Sequence, residues 1–109
     1  QWQAARDLFN EAIEVERAGC FAVVLEAVPP PVAKAISERL AIPTIGIGSG
    51  PMTAGQVLVL HDMLGLGSGR KPRFVRNFMA EGGSIAAAVG RYVAAVKDGS
   101  FPQADVHTY

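Results

Sequence analysis

Apolar residues fall near one helical face at Trp2, Ala5, Phe9, Ala12, Ile13 and Val15, while Arg6, Asp7, Glu11, Glu14 and Arg17 fall largely elsewhere. This pattern predicts an amphipathic helix over residues 2–18, with Gly19 placed to end it. Residues 21–27, FAVVLEA, are an apolar run broken by one acid. A run without alternation suits a strand buried on both faces, as in a parallel sheet. Pro29, Pro30 and Pro31 stop that strand and can start a helix. Val32, Ile36 and Leu40 then keep helical spacing over residues 32–40. Pro43 opens a second buried strand, PTIGIG. Residues 53–63 read as a short helix with Val57, Leu58 and Leu60 inward. Gly65, Gly67 and Gly69 mark a loop, and residues 73–80 read as another short helix. Residues 84–97 give the clearest helix. Ser84 is its N-cap, Ile85, Val89, Tyr92, Val93 and Val96 its stripe, and Gly99 its end.

Two strands and about five helical segments result, in an order that favours parallel pairing through βαβ units. Two strands are too few for a parallel sheet covered on both faces. The expected fold class is therefore α/β, with residues 1–109 forming the end of a larger barrel or doubly wound sheet. A chain that opens inside a helical pattern without an initiator Met reads as a piece of a longer protein.

Half of the residues are hydrophobic and 18% are charged, so the chain is globular in composition. Its formal net charge is zero, which favours neither nucleic acid nor an anionic membrane as a partner. No apolar run reaches the ~20 residues of a membrane span. The single cysteine, Cys20, cannot form an internal disulfide and fits a reducing, cytoplasmic setting. Its place before an apolar strand suggests a buried, inert thiol.

Glu26 is the first candidate for chemistry. It closes the apolar run, and the C-terminal strand ends of α/β barrels face the active site. A carboxylate partly withdrawn from water has a raised pKa, which suits a base acting on carbon. The alternative is a rim glutamate that pairs with a lysine or caps a helix. Gly46, Gly48 and Gly50 form a second candidate. GIGSG after a strand could let backbone N–H groups approach a phosphate, but the spacing is not that of a dinucleotide fingerprint. Close approach of a substrate or a neighbouring backbone is the better reading. His61 and Asp62 are adjacent, point about 100° apart on a helix, and read as structural or interface residues rather than a metal pair. Ser49 is not in a G-x-S-x-G elbow. His107 lies in an irregular tail and needs no function. Trp2 and Tyr92 sit on helix stripes as core or interface residues.

Five segments carry a resemblance. LEAVP at 25–29, IPTIGIGSG at 42–50, GQVLVLHDMLGL at 55–66 and RFVRNF at 73–78 resemble, in order, segments of the ketopantoate hydroxymethyltransferase family. The helix end Tyr92–Gly99 with FPQADVHTY resembles that family's C-terminus. The resemblance covers essentially the whole chain but only about the last two-fifths of a family member. It implies the C-terminal portion of a (β/α)8 barrel with a helical extension. It also implies transfer of a hydroxymethyl group from 5,10-methylenetetrahydrofolate to 3-methyl-2-oxobutanoate, giving 2-dehydropantoate for pantothenate and coenzyme A synthesis. Glu26 is then the catalytic base, with Gly46 and Gly48 lining the same mouth as substrate contacts. A magnesium ion would chelate the keto acid and stabilise its enolate. The magnesium-binding acids, and a serine and lysine for the keto acid, would lie on earlier strands, so no metal ligand falls within residues 1–109. Small-molecule substrates and a homo-oligomer are the implied partners. Two positions depart from the family pattern: Ser49 stands where alanine is usual, and Ala54 where many members have aspartate.

Two other readings compete. One is another magnesium-dependent keto-acid carbon–carbon lyase, against which the HDMLG and FPQADVH segments argue. The other is an inactive barrel fragment that only associates with other chains.

Overall fold

The computed structural model describes residues 2–109. A 16-residue helix, α1 (Trp2–Arg17), leads into β1 (Val23–Glu26), α2 (Pro30–Arg39) and β2 (Thr44–Ile47). A two-residue strand, β3 (Gly55–Gln56), a single helical turn, α3 (Leu60–Met63), and a long helix, α4 (Ile85–Asp98), follow. The sheet order is β1-β2-β3 and both pairings are parallel. The chain is thus a mixed helical and parallel-sheet fragment of the α/β kind.

The first half follows the predicted element order, but β1 is shorter than FAVVLEA and is not covered on both faces: Phe21 is 89% and Val24 58% exposed. Gly19 takes φ +97° just beyond α1 and allows the turn into β1. Pro30 and Pro31 occupy the first turn of α2, where their missing N–H groups cost nothing. Leu25 and Val28 pack with Ala12 of α1 and with Ala33, Ile36 and Leu40 around α2. Ile36 is fully buried, and a side chain of that size contributes about 1.5–3 kcal/mol. Glu16 ties the layers together: its carboxylate accepts from the backbone N–H groups of Ala41 (2.6 Å) and Ile42 (3.1 Å).

Several expectations fail. Residues 53–63 are not one helix. Gly55 and Gln56 pair with Ile45 and Gly46, adding a third strand, and Thr53 Oγ1 donates to the Gly55 carbonyl at 2.8 Å. The next residues alternate: Leu58 is buried and Val59 exposed, while Val57 and Leu60, both expected inward, are 44% and 52% exposed. Residues 73–80 form turns instead of a helix. Phe78 inserts into the core there, and its N–H donates to the Met63 carbonyl at 2.8 Å. Third, Cys20 is exposed. It lies in the turn between α1 and β1, short of the first residue that the sheet covers. Trp2 is 79% exposed, as an interface residue would be, and is not part of the core.

Helix α4 has the predicted caps. Ser84 Oγ accepts from Ala87 N–H at 3.0 Å, and Gly99 is left-handed; such an N-cap contributes about 1 kcal/mol. Its buried face is rotated from the expected stripe. Ala88 and Ala95 are buried, Val89, Tyr92 and Val96 flank them, and Ile85 and Val93 are exposed. Alanine at the contact lets the helix approach Phe78 and Phe101 closely. Tyr92 meets Phe78 edge-on at 5.5 Å, and Phe78 meets Phe101 at 5.4 Å.

Candidate active site at the strand ends

Glu26 is the last residue of β1 and pairs in register with Ile47, the last residue of β2. Partners in a parallel ladder point to one side of the sheet, and neighbours along a strand alternate. Glu26 and Ile47 therefore share one face, and Leu25 and Gly46 the other. Glu26 is exposed rather than partly withdrawn from water, and it enters no salt bridge among the described residues. Among the described residues, neither a lysine partner nor a helix-capping role takes up its carboxylate.

The two glycines expected beside it have different surroundings. Gly46 is on the opposite face from Glu26. A Cβ there would come 2.8 Å from Thr53 Oγ1, so Thr53 fills the space it leaves. Gly48, one residue past the strand, is at the same end of the sheet as Glu26. It has φ +66°, and a Cβ there would come 2.5 Å from Phe74 Cδ2. Gly50 has φ +81° and abuts Pro30, with a virtual Cβ contact of 2.9 Å. These glycines make room for protein neighbours rather than for phosphate.

The turn that carries Glu26 is held from β2. Ala27 has φ +53°, the left-handed region that an alanine rarely adopts. Its N–H donates to the Ile47 carbonyl at 2.9 Å. Ser49 is fully buried. Its hydroxyl donates to the Leu25 carbonyl at 2.7 Å and accepts from the Val28 N–H at 3.0 Å. Ser49, Ala27 and Phe74 were not legible as site residues. Alanine in a left-handed conformation has no sequence signature, and a serine between two glycines suggests a loop rather than a clamp.

Other candidates lie elsewhere. Asp62 pairs with Lys71 at 3.7 Å while His61 is exposed, so the two do not converge. His107 is buried in the tail, packs on Phe101 at 4.8 Å and accepts a hydrogen bond from Gln103 N–H through Nδ1 at 3.0 Å. A concavity of about 430 Å³ bordered by Ser37, Thr44 and Ala54 opens at the other, N-terminal end of β2. Among the described residues, no three His, Cys, Asp or Glu side chains are grouped to hold a metal ion.

A sequence model of the ketopantoate hydroxymethyltransferase family matches residues 1–104. The chain belongs to this family. It is 57% identical over 108 residues to a 3-methyl-2-oxobutanoate hydroxymethyltransferase of Xanthomonas oryzae pv. oryzae. It is 56% identical to proteins of the same name from Xanthomonas axonopodis pv. citri and Xanthomonas campestris pv. campestris. Each match takes in 98% of this chain and 40% of the relative. The chain thus spans about 40% of the length of these ketopantoate hydroxymethyltransferases, and within that stretch Glu26 is the acid at the strand ends.

Proposed function

We propose that the chain forms the Glu26-bearing part of an enzyme that transfers a hydroxymethyl group from 5,10-methylenetetrahydrofolate to 3-methyl-2-oxobutanoate. The observation that carries this reading is Glu26 itself. It is a carboxylate with no salt-bridge partner among the described residues, closing a parallel strand in a chain 57% identical to proteins named for that reaction. In this reading Glu26 takes the C3 proton of the keto acid. The C–H electrons become the enolate, whose C3 attacks the folate's one-carbon unit. The two carbon–nitrogen bonds to folate break, water supplies the hydroxyl group, the proton held by Glu26 and the second proton of water go to the two folate nitrogens, and 2-dehydropantoate and tetrahydrofolate leave. A carboxylate can serve because the keto group beside C3 accepts the developing charge. Gly48 shapes this end of the sheet by seating Phe74.

The β1-α2-β2 unit, with its two adjacent parallel strands, is what the last two strands of a (β/α)8 barrel would contribute, with α4 as an extension beyond it. The apolar surface of β1, where Val24 is 58% exposed, supports further covering by the rest of such a barrel. Magnesium enters only as an ion held outside this chain. The described residues do not fit a complete site for it. The chain alone is accordingly read as inactive. Assembly into a homo-oligomer is part of the same proposal, supported by the exposed Ile85 and Val93 on α4. The cytoplasmic location rests on family membership. No helix among the described residues is long and apolar enough to cross a membrane.

The test is a hybrid enzyme in which this chain replaces the matching 40% of the Xanthomonas oryzae relative. Folate-dependent formation of 2-dehydropantoate is the expected result. A folded hybrid without turnover would refute the reading.

A further inference from the structure

We infer that the cationic concavity formed by Arg70, Lys71 and Arg73 beside Tyr109 takes the glutamyl tail of the folate cosubstrate; this rests on the folate-dependent reading of the chain. The stretch from Arg70 to Arg76 holds four of the ten basic residues. Of these, Lys71 alone has a salt-bridge partner among the described residues, Asp62 at 3.7 Å. Arg76 is taken up over the Phe78 ring, 4.6 Å from its centroid. The other three border a concavity of about 620 Å³ together with Pro72 and Tyr109. Three cations against one acid leave a positive excess, which favours an anion carrying more than one charge. The wall is also built. Arg73 Nε and Nη2 donate to the Val106 and Asp105 carbonyls, both at 3.1 Å, and its backbone N–H donates to Tyr109 Oη at 3.2 Å. These acceptors fix the guanidinium without neutralising it. Lys71 Nζ donates to the Leu66 carbonyl at 2.8 Å.

The place of this concavity selects the ligand. Phe74, the residue after Arg73, is seated over Gly48, and Gly48 is at the end of the sheet that carries Glu26. One strand spacing, two steps along the chain and that contact put the backbones of Glu26 and Arg73 no more than roughly 20 Å apart. A folate carries its one-carbon unit on the pterin and its carboxylates beyond a p-aminobenzoyl spacer. A base at Glu26 and cations at Arg70, Lys71 and Arg73 therefore suit opposite ends of one molecule. The keto acid has a single carboxylate and is too short to reach both. Exposed loop cations suit the distal part of a ligand, where each further γ-linked glutamate adds a negative charge. The concavity sets affinity for the tail and takes no part in proton removal.

The hybrid enzyme provides the test, with 5,10-methylenetetrahydrofolate bearing either one glutamate or three γ-linked glutamates. Arg70→Gln combined with Lys71→Gln raises the KM for the triglutamate about 3- to 20-fold, an exposed ion pair being worth a factor of about five at most. The KM for the monoglutamate rises less. Added salt weakens the triglutamate more than the monoglutamate in the parent, and this difference shrinks in the variant. Exchange of the C3 hydrogen of 3-methyl-2-oxobutanoate for deuterium, which needs no folate, keeps the parent rate. Both side chains are exposed, and Arg70→Lys with Lys71→Arg, which preserves both charges, keeps the preference for the longer tail. An unchanged KM for the triglutamate overturns the inference. So does an equal rise for both cosubstrates, or a loss of exchange, since either would report general loosening of the loop. A parent hybrid that exchanges the C3 hydrogen but uses neither folate refutes the folate-dependent reading instead.

Discussion

The ring of Phe74 occupies the space that a side chain at Gly48 would need. A Cβ on residue 48 would come 2.5 Å from Phe74 Cδ2, and the backbone there already has φ +66°. Gly48→Ala should therefore destabilise the hybrid enzyme twice over, by about 1–2 kcal/mol from the left-handed backbone and about 1–3 kcal/mol from overlap. Phe74→Ala in the same molecule should relieve the second part only, so the double variant should be less destabilised than the sum. Urea midpoints check this. Additive losses would mean that the two residues do not touch.

His107 should make the tail sensitive to acid. Burial, then the neighbouring Arg76 cation, lowers its pKa, and Asp105 opposes this more weakly. A lowered histidine pKa means that the unfolded chain takes up the proton first as pH falls. Stability is then complete above the ordinary value of about 6.5 and declines below it toward the folded pKa. His107→Asn, whose side-chain oxygen can replace Nδ1 as acceptor for Gln103 N–H, should flatten this slope. Thermal melts of the hybrid between pH 5 and 8 read it out, and equal slopes in parent and variant would remove His107 as the cause.

Tyr92 carries a buried hydroxyl without a hydrogen-bond partner among the described residues, and burial raises its pKa. Tyr92→Phe keeps the ring contacts with Phe78 and Phe101 and removes an unpaired polar group whose burial costs about 1–3 kcal/mol. The variant should melt at or above the parent temperature. A clear fall would show that the assembled enzyme supplies a partner for the hydroxyl.

The secondary structure was legible in the sequence on either side of residues 51–80 and not within them. The βαβ unit could be read because apolar runs, prolines and Gly19 act locally, and register then follows from adjacent parallel strands. Glu26 could be placed at the same end as Gly48 for that reason. Between residues 51 and 80 tertiary contacts decide, whereas α4 keeps its predicted caps. GQVLV contains an alternating Val57-Leu58-Val59 that a helical reading overlooked. RFVRNF is too short to nucleate a helix alone, so the seating of Phe74 and Phe78 sets its path. The exposure of Cys20 and Trp2 follows from where cover ends, which periodicity does not report. Gly46 shows the same limit: the sequence marks a tight place, but only the sheet face reveals that Thr53 fills it.

The isolated chain should bind magnesium weakly or without stoichiometry. Its acids are dispersed among the described residues, and a hydrated magnesium ion gives up water only to well-placed oxygens. Calorimetric titration with magnesium, with and without the keto acid, checks this. A saturable one-to-one heat would mean that Glu26 and its neighbours contribute to a metal site, and the placing of every magnesium ligand outside this chain would be wrong.

Glu26→Gln is the most direct probe of the proposed chemistry. Glutamine keeps the size of the side chain, and Glu26 has no salt-bridge partner among the described residues that the change would strand. What it loses is the ability to take a proton at neutral pH. Loss of a general base typically costs about 10²–10⁴ in rate, equivalent to about 3–5 kcal/mol of barrier. Turnover by the hybrid enzyme should fall by that factor while the dissociation constant of the keto acid shifts little, because proton removal is absent from the binding step. Exchange of the C3 hydrogen, followed by NMR in deuterated water without folate, isolates that removal from the later transfer. Both should be lost together. If exchange survives and transfer alone is lost, Glu26 acts after the enolate forms, and its place at the end of β1 would then serve the folate or the developing alcohol.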